Sequence, residues 1–259
     1  MRFRLILRVD KNVWGTILPC NYLYPLSSTI YKILNEGNSE FAAWLHDHGY
    51  ITGERKQFKL FTFSNLYIPR FQIFGDRMNI LSEEVCLIVS FYPIDAIEAF
   101  VVGLFNNRHI VIGDKRTRVS FDVVSVERLP EPSFSETMRF RTISPVFIDE
   151  KREGRGTTRH VSPDEPVFLR LLEYNLLEKY RAFYRQEPLP EWHLDRLQVL
   201  SPPKAKTITI KEGTSQRTQL KSYLFGFEIT GNPELLKLMY DSGAGRLGSQ
   251  GFGCIEVWT

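Results

Sequence analysis

Cysteine is scarce in this sequence: three occur in 259 residues, at Cys20, Cys86 and Cys254. The odd number and wide spacing exclude a disulfide framework and a cysteine-based zinc site, and point to a reducing compartment, the cytoplasm. Histidine is also sparse, with five in the chain. Only His46 and His48 are close neighbours, and residues two apart on a helix point in different directions. Neither a metal nor a cofactor is expected. Net charge is only +3, so bulk charge does not announce a nucleic-acid partner and the placement of the arginines has to carry that question. No apolar run reaches the ~20 residues of a membrane helix. The opening stretch MRFRLILRVD holds arginine within its apolar segment and has no small-residue cleavage site, so a signal peptide is not expected.

What is present fits an ordinary globular protein, with 43% apolar and 24% charged residues. The length suits two domains of roughly 125 residues each. Residues 2–9 alternate, with Phe3, Leu5, Leu7 and Val9 on one face and Arg2, Arg4, Ile6 and Arg8 on the other. That is a half-buried strand with arginines outward. Pro25 suits the first turn of a helix striped by Leu26, Ile30, Ile33 and Leu34 and ended by Gly37. Ser39 is the expected cap of a second helix with Phe41, Trp44, Leu45 and His48 on its apolar side. Strands are expected over 59–65, 67–73 and 77–80, the last two about a Gly75-Asp76 turn, and over 85–92. Pro93 starts a helix with Ile94, Ile97, Phe100, Val101 and Leu104 inward, and a hairpin about Gly113-Asp114 closes this half.

The order strand, helices, strands, helix, strand is the split βαβ arrangement called ferredoxin-like. LPEPSFS, residues 129–135, has two prolines and no periodicity and reads as a linker. The order then recurs: a strand over 137–143, a basic loop over 151–160, a long helix over 165–185, strands over 194–200, 204–211 and 216–230, a helix capped by Asn232 and started by Pro233, and a last strand over 251–258. The expected fold is therefore α+β, with two tandem ferredoxin-like (βαββαβ, RRM-like) domains at 1–128 and 136–259.

Residues 243–253 read GAGRLGSQGFG. Glycine admits positive φ and holds no side chain between backbone and ligand. Successive amides of Gly243, Gly245, Gly248, Gly251 and Gly253 are expected to cradle a phosphate, with Arg246 adding charge-assisted contacts. Phe252 has two open readings, a core residue or a stacking face for a base. The segment is no P-loop, lacking the terminal Lys-Ser/Thr, and it runs from helix to strand, opposite to a dinucleotide-binding turn. Arg139, Arg141, Lys151, Arg152 and Arg155 extend a basic track across the second half, alongside Arg2, Arg4 and Arg8 in the first. Each set alone is an ordinary solvated face; together they suit RNA.

Tandem ferredoxin-like domains ending in GAGRLGSQGFG resemble the repeat-associated RNA-binding proteins of CRISPR systems, and within them the Cas-six endoribonuclease family. PLSSTIYKIL resembles the family's first helix, Leu45-His46 followed by KLFTFS its catalytic region, and RTISPVFI the start of its second domain. The resemblance spans almost the whole chain. It implies a metal-independent endoribonuclease that cuts CRISPR repeat RNA to a 2′,3′-cyclic phosphate, with Tyr31, His46 and Lys59 as catalytic residues. DHGYITGERKQF between the matched segments is slightly long, which leaves His48, Arg55 and Lys56 as substitutes. The partner implied is repeat RNA, with an effector complex and a second copy of the chain left open. A non-catalytic RNA-binding subunit is the alternative.

The chemistry is coherent. RNA brings its own nucleophile, so the protein has only to move protons and stabilise the crowded phosphate. Imidazole accepts and donates a proton near neutrality, which suits His46. Lys59 would set positive charge against the phosphorane. Tyr31 would orient the 2′-hydroxyl or share in proton transfer. Whether Tyr31 or His46 is the base stays open at this point.

Overall fold

The computed structural model describes residues 1–53, 56–151, 158–211 and 215–258. The first half opens with β1 (Arg2–Asp10) and the short β2 (Ile17–Pro19), followed by helices α1 (Leu23–Gly37) and α2 (Ser39–Asp47). Two-residue strands β3 (Tyr50–Ile51) and β4 (Gln57–Phe58) lead into β5 (Phe61–Phe63), the hairpin of β6 (Phe71–Phe74) and β7 (Arg77–Ile80), and β8 (Glu84–Phe91). Helix α3 (Ile94–Asn106) and the hairpin of β9 (His109–Gly113) and β10 (Arg118–Arg128) complete it. The main sheet has the antiparallel order β5-β8-β1-β10-β9. Phe3, Leu5, Leu7 and Val9 of β1 pack with Leu26, Ile30, Ile33 and Leu34 of α1 in one core, as the two periodicities require.

The second half, after a stretch without regular structure over 129–136, runs β11 (Thr137–Thr142), the hairpin β12 (Asp149–Lys151) and β13 (Thr158–His160), and the long helix α4 (Val167–Tyr184). Then come β14 (Leu194–Val199), the hairpin β15 (Lys204–Ile210) and β16 (Thr218–Leu224), β17 (Gly226–Gly231), α5 (Pro233–Ser242) and β18 (Ile255–Val257). Its sheet has the order β14-β17-β11-β18, again antiparallel. Phe140, Phe227 and Ile229 from this sheet form a second core with Phe168, Leu172, Leu235 and Met239 from α4 and α5. Among the described residues no helix is long and apolar enough to cross a membrane.

Some local expectations are corrected. The cap of α2 is Asn38, whose side chain accepts from the Phe41 amide at 2.9 Å, and not Ser39, which is the first helical residue. Trp44 and His48 are exposed, and the buried side of α2 is Ala42 and Leu45. Ile94 is 70% exposed because α3 turns its small face, Ala96, Ala99 and Gly103, to α1. A β-carbon on Gly103 would lie 1.8 Å from the Ile33 carbonyl oxygen, and one on Gly37 1.8 Å from that of Ala99. Close helix contact therefore selects small residues over large apolar ones. The strand expected over 216–230 breaks after Leu224, and the Trp258 ring fills the space beside Gly226.

The halves are joined at buried points. Arg2, expected in solvent, is 3% exposed; its guanidinium donates to the carbonyls of Ile255 and Tyr240, each at 2.6 Å, and lies 3.5 Å from the Tyr240 ring centroid. Thr62 Oγ1 donates to the Phe252 carbonyl at 2.8 Å, and the Asn65 amide to that of Ile143 at 2.9 Å. Charge-assisted bonds like those of Arg2 are the stronger class.

Candidate active site

Tyr31 lies on the third turn of α1, His46 near the end of α2, and Lys59 just before β5. The fold brings these three together. The Tyr31 and His46 rings meet edge to face, with centroids 5.3 Å apart at 83°. Lys59 Nζ donates to the His46 main-chain carbonyl at 2.7 Å. The turn that permits this contains Gly49, at φ +63°, where a β-carbon would lie 2.7 Å from the Phe58 carbonyl and 3.1 Å from Lys59 Nζ. The site opens on a cleft of about 600 Å³ between α1, α2 and β9, lined by Tyr31, Lys32, Asn35, His46 and His109 among others.

Electrostatics divide the three groups. Burial pushes the Tyr31 phenol up to about 12, against a smaller opposing pull from the nearby Ser249 side chain. The phenol therefore keeps its proton at neutral pH. His46 is exposed, and its Nδ1 meets Asp47 Oδ1 at 2.8 Å. That contact holds the Asp47 carboxyl below its usual value and orients the ring, leaving Nε2 without a partner among the described residues. Burial draws the Lys59 ammonium below the ordinary lysine value, and Asp47 opposes it.

The substitutes lie elsewhere. His48 caps the end of α2 beside a different hollow, with Trp44, Tyr50 and Glu178. Lys56 crosses to α4, where it meets the Tyr174 hydroxyl and Glu178. Arg55 lies outside the described residues.

The glycine-rich segment corrects the reading of its amides as a phosphate cradle. Gly243, Gly245, Gly251 and Gly253 are buried. The Gly243 amide donates to the Met239 carbonyl, Ala244 to Gly253, Arg246 to Phe147, Gly251 to Gly248 and Gly253 to Pro145. Gly245, Gly251 and Gly253 do sit at positive φ, but protein fills the space a ligand would need. A β-carbon on Gly253 would lie 2.2 Å from the Ala244 carbonyl, and one on Gly251 2.7 Å from the Phe63 ring. Phe252 is fully buried with Phe147, which decides its two readings for the core. Arg246 is half exposed and ion-paired with Asp149.

On the second sheet Arg139 pairs with Glu228 at 2.8 Å and Arg141 with Glu256 at 2.6 Å, all four on β11 and its neighbours. Lys151 is exposed at the end of β12. Arg152 and Arg155 lie outside the described residues. What the sequence reading missed is the 3₁₀ turn Gly248–Gln250, whose Ser249 main-chain carbonyl accepts from Ser27 Oγ on α1 at 2.6 Å. The only signal was a serine inside the glycine run.

Both halves of the chain match models of known protein families. The model for the Cas6 N-terminal family matches residues 17–124, and that for the Cas6 C-terminal family residues 129–257. The first span contains Tyr31, His46 and Lys59, and the second the glycine-rich segment. CRISPR-associated endoribonuclease Cas6 1 of Methanocaldococcus jannaschii is 29% identical over 257 residues, 98% of this chain and 92% of the relative. CRISPR-associated endoribonuclease Cas6 of Pyrococcus furiosus is 28% identical over 264 residues, 99% and 90% of the two chains. A solved CRISPR associated protein Cas6 superposes with a TM-score of 0.76 at 28% identity, covering 100% of this chain and 99% of that one. A Cas6-related protein from Pyrococcus furiosus reaches 0.80 at 24% identity, covering 100% and 98%, and speaks for the fold alone. With both halves matched in order, this chain belongs to the CRISPR-associated Cas6 family.

Proposed function

We propose that this chain is a CRISPR-associated endoribonuclease that cuts repeat RNA in precursor transcripts, through attack of a 2′-hydroxyl on the adjacent phosphate to leave a 2′,3′-cyclic phosphate. The observation that carries the reading is the meeting of the Tyr31 and His46 rings at one cleft, with Lys59 Nζ bonded to the His46 main-chain carbonyl. His46 moves the proton, because its ring is exposed and held by Asp47 while the Tyr31 phenol stays protonated. Tyr31 orients the 2′-hydroxyl, and Lys59 meets the negative charge growing on the phosphorane. No metal is needed, since the substrate supplies its nucleophile.

Each half is read as a ferredoxin-like domain, 1–128 and 136–259 about the linker, and the reaction belongs in the cytoplasm. Arg139, Arg141, Lys151 and Arg246 are read as phosphate contacts, joined by Arg152 and Arg155. An effector complex or a second copy as partner belongs to the same reading.

Incubation with repeat RNA in EDTA tests it. Cutting is expected, with loss of cutting when the nucleotide at the cut carries a 2′-deoxy sugar. His46→Ala is expected to slow cleavage about 10²–10⁴-fold with affinity unchanged. RNA bound tightly but left intact by the wild-type protein would assign a guide-holding subunit instead.

A further inference from the structure

The hairpin of β6 and β7 belongs to a three-stranded sheet of order β2-β7-β6, with β6 on its edge. Every residue from Arg70 to Asp76 is exposed, including Phe71, Phe74 and, at 61%, Ile73. Edge strands are ordinarily blunted by charge, proline, a bulge or a covering element, because their free amides and carbonyls recruit another strand. The FQIF of β6 has no charge and no proline, and its pairing with β7 shows no bulge. Among the described residues no strand pairs with its outer side.

Main-chain bonding shows which groups are free. The Arg70 amide donates to Ser82 Oγ at 2.8 Å, and its carbonyl accepts from the Leu81 amide at 2.9 Å, so both groups are spent toward β7. Ladder bonds alternate along an antiparallel strand. Gln72 and Phe74 therefore face β7 as well, while the amides and carbonyls of Phe71 and Ile73 face out. An identical strand laid antiparallel along this edge satisfies the outward groups when odd positions stand opposite odd ones. Of the registers that do so, charge selects the one with a two-fold axis between the two Ile73 residues. There Arg70 of each copy stands opposite Asp76 of the other. Arg70 has no ion pair among the described residues, and Asp76 meets Arg77 and Arg116 through Oδ2, at 3.5 Å and 3.2 Å, which leaves Oδ1 open. Phe71 falls opposite Gly75, where even a β-carbon would meet nothing within 4 Å.

We infer that β6 joins two copies of this chain edge to edge, with the two-fold axis at Ile73. The contact is isologous, so it closes at two copies. Phe71, Ile73 and Phe74 of each copy shed water there, and two Arg70–Asp76 pairs flank them. This names the surface for the second copy in the proposed function and rests on that part of the reading alone, not on the cleavage chemistry.

Sedimentation of the full chain over a rising concentration series, with Tm measured beside it, tests the surface. The mass of the wild-type protein is expected to double as concentration rises. Ile73→Lys is expected to stay at the mass of one chain with Tm unchanged. Arg70→Asp and Asp76→Arg, each alone, set like charges opposite one another and are expected to stay single. Mixed in equal amounts they are expected to pair, since both contacts of the mixed dimer then join opposite charges. Ile73→Cys, with the exposed Cys20 replaced by serine, is expected to form a covalent dimer on oxidation. Its opposed Cα atoms would stand about 5.5 Å apart, within disulfide reach, and this arm needs neither charge variant to fold. A dimer that survives Ile73→Lys, folded charge variants that stay single when mixed, or Ile73→Cys that fails to cross-link overturns this surface and leaves the second copy in the reading. A wild-type protein that stays single at every concentration assigns the strand to some other protein and overturns both.

Discussion

Lys179 offers a sharp test of the energetics of the second half. It lies on α4, 4% exposed, and its Nζ donates to the carbonyls of Gly243 at 2.6 Å and Ser242 at 3.4 Å. Those carbonyls end α5, where the helix dipole favours a cation. Burial is the stronger influence and draws the ammonium from an ordinary 10.5 to about 7. Below that value the side chain is charged in both folded and unfolded protein, and the cost of burying the charge is present in full. Above it the folded protein loses the proton while the unfolded chain keeps it, so the unfolded state binds more protons and stability rises with pH. Between about pH 7 and about pH 9 the gain from this one group is about 2 kcal/mol. Lys179→Met removes the titration. Urea unfolding followed by tryptophan fluorescence, at both pH values and on both proteins, isolates the effect, because other groups titrate alike in the two. The wild-type protein is expected to gain about 2 kcal/mol on Lys179→Met over that interval. Parallel changes in the two proteins would refute the argument.

Arg2→Met is expected to cost about 3 kcal/mol, since it removes two charge-assisted bonds and leaves the Ile255 and Tyr240 carbonyls buried without them. Differential scanning calorimetry should show Tm lower by roughly 6–12 °C; a shift under about 2 °C would mean that the junction does not depend on it. Gly15 and Gly253 both have positive φ, but a β-carbon at Gly15 meets nothing within 4 Å while one at Gly253 meets backbone at 2.2 Å. Gly15→Ala is therefore expected to cost about 1 kcal/mol and Gly253→Ala clearly more; equal losses in denaturant midpoint would contradict the packing described.

Local pattern carried much of the fold. The alternation of Phe3, Leu5, Leu7 and Val9, the stripe of Leu26, Ile30, Ile33 and Leu34, and the Asn232-Pro233 start of α5 are all decided within a few residues, and each stands where its period places it. Tyr31, His46 and Lys59 were legible only through resemblance, since their meeting depends on how α1, α2 and β5 pack. Arg2 was misplaced because alternation says which face a side chain takes, and nothing about what later covers that face. The glycine-rich segment was misread for a related reason. Dense glycine signals close approach by something, and whether that is a phosphate or the protein's own Phe63 and Ala244 is set by neighbours remote in sequence.

The Arg2 anchor has a bearing on what can bind between the halves. A guanidinium locked onto main-chain oxygens of the opposite half works as a rivet: the spacing between the halves is set while the protein is empty. Anything that binds between them is then expected to fit a width already fixed, and not to draw the halves together around itself.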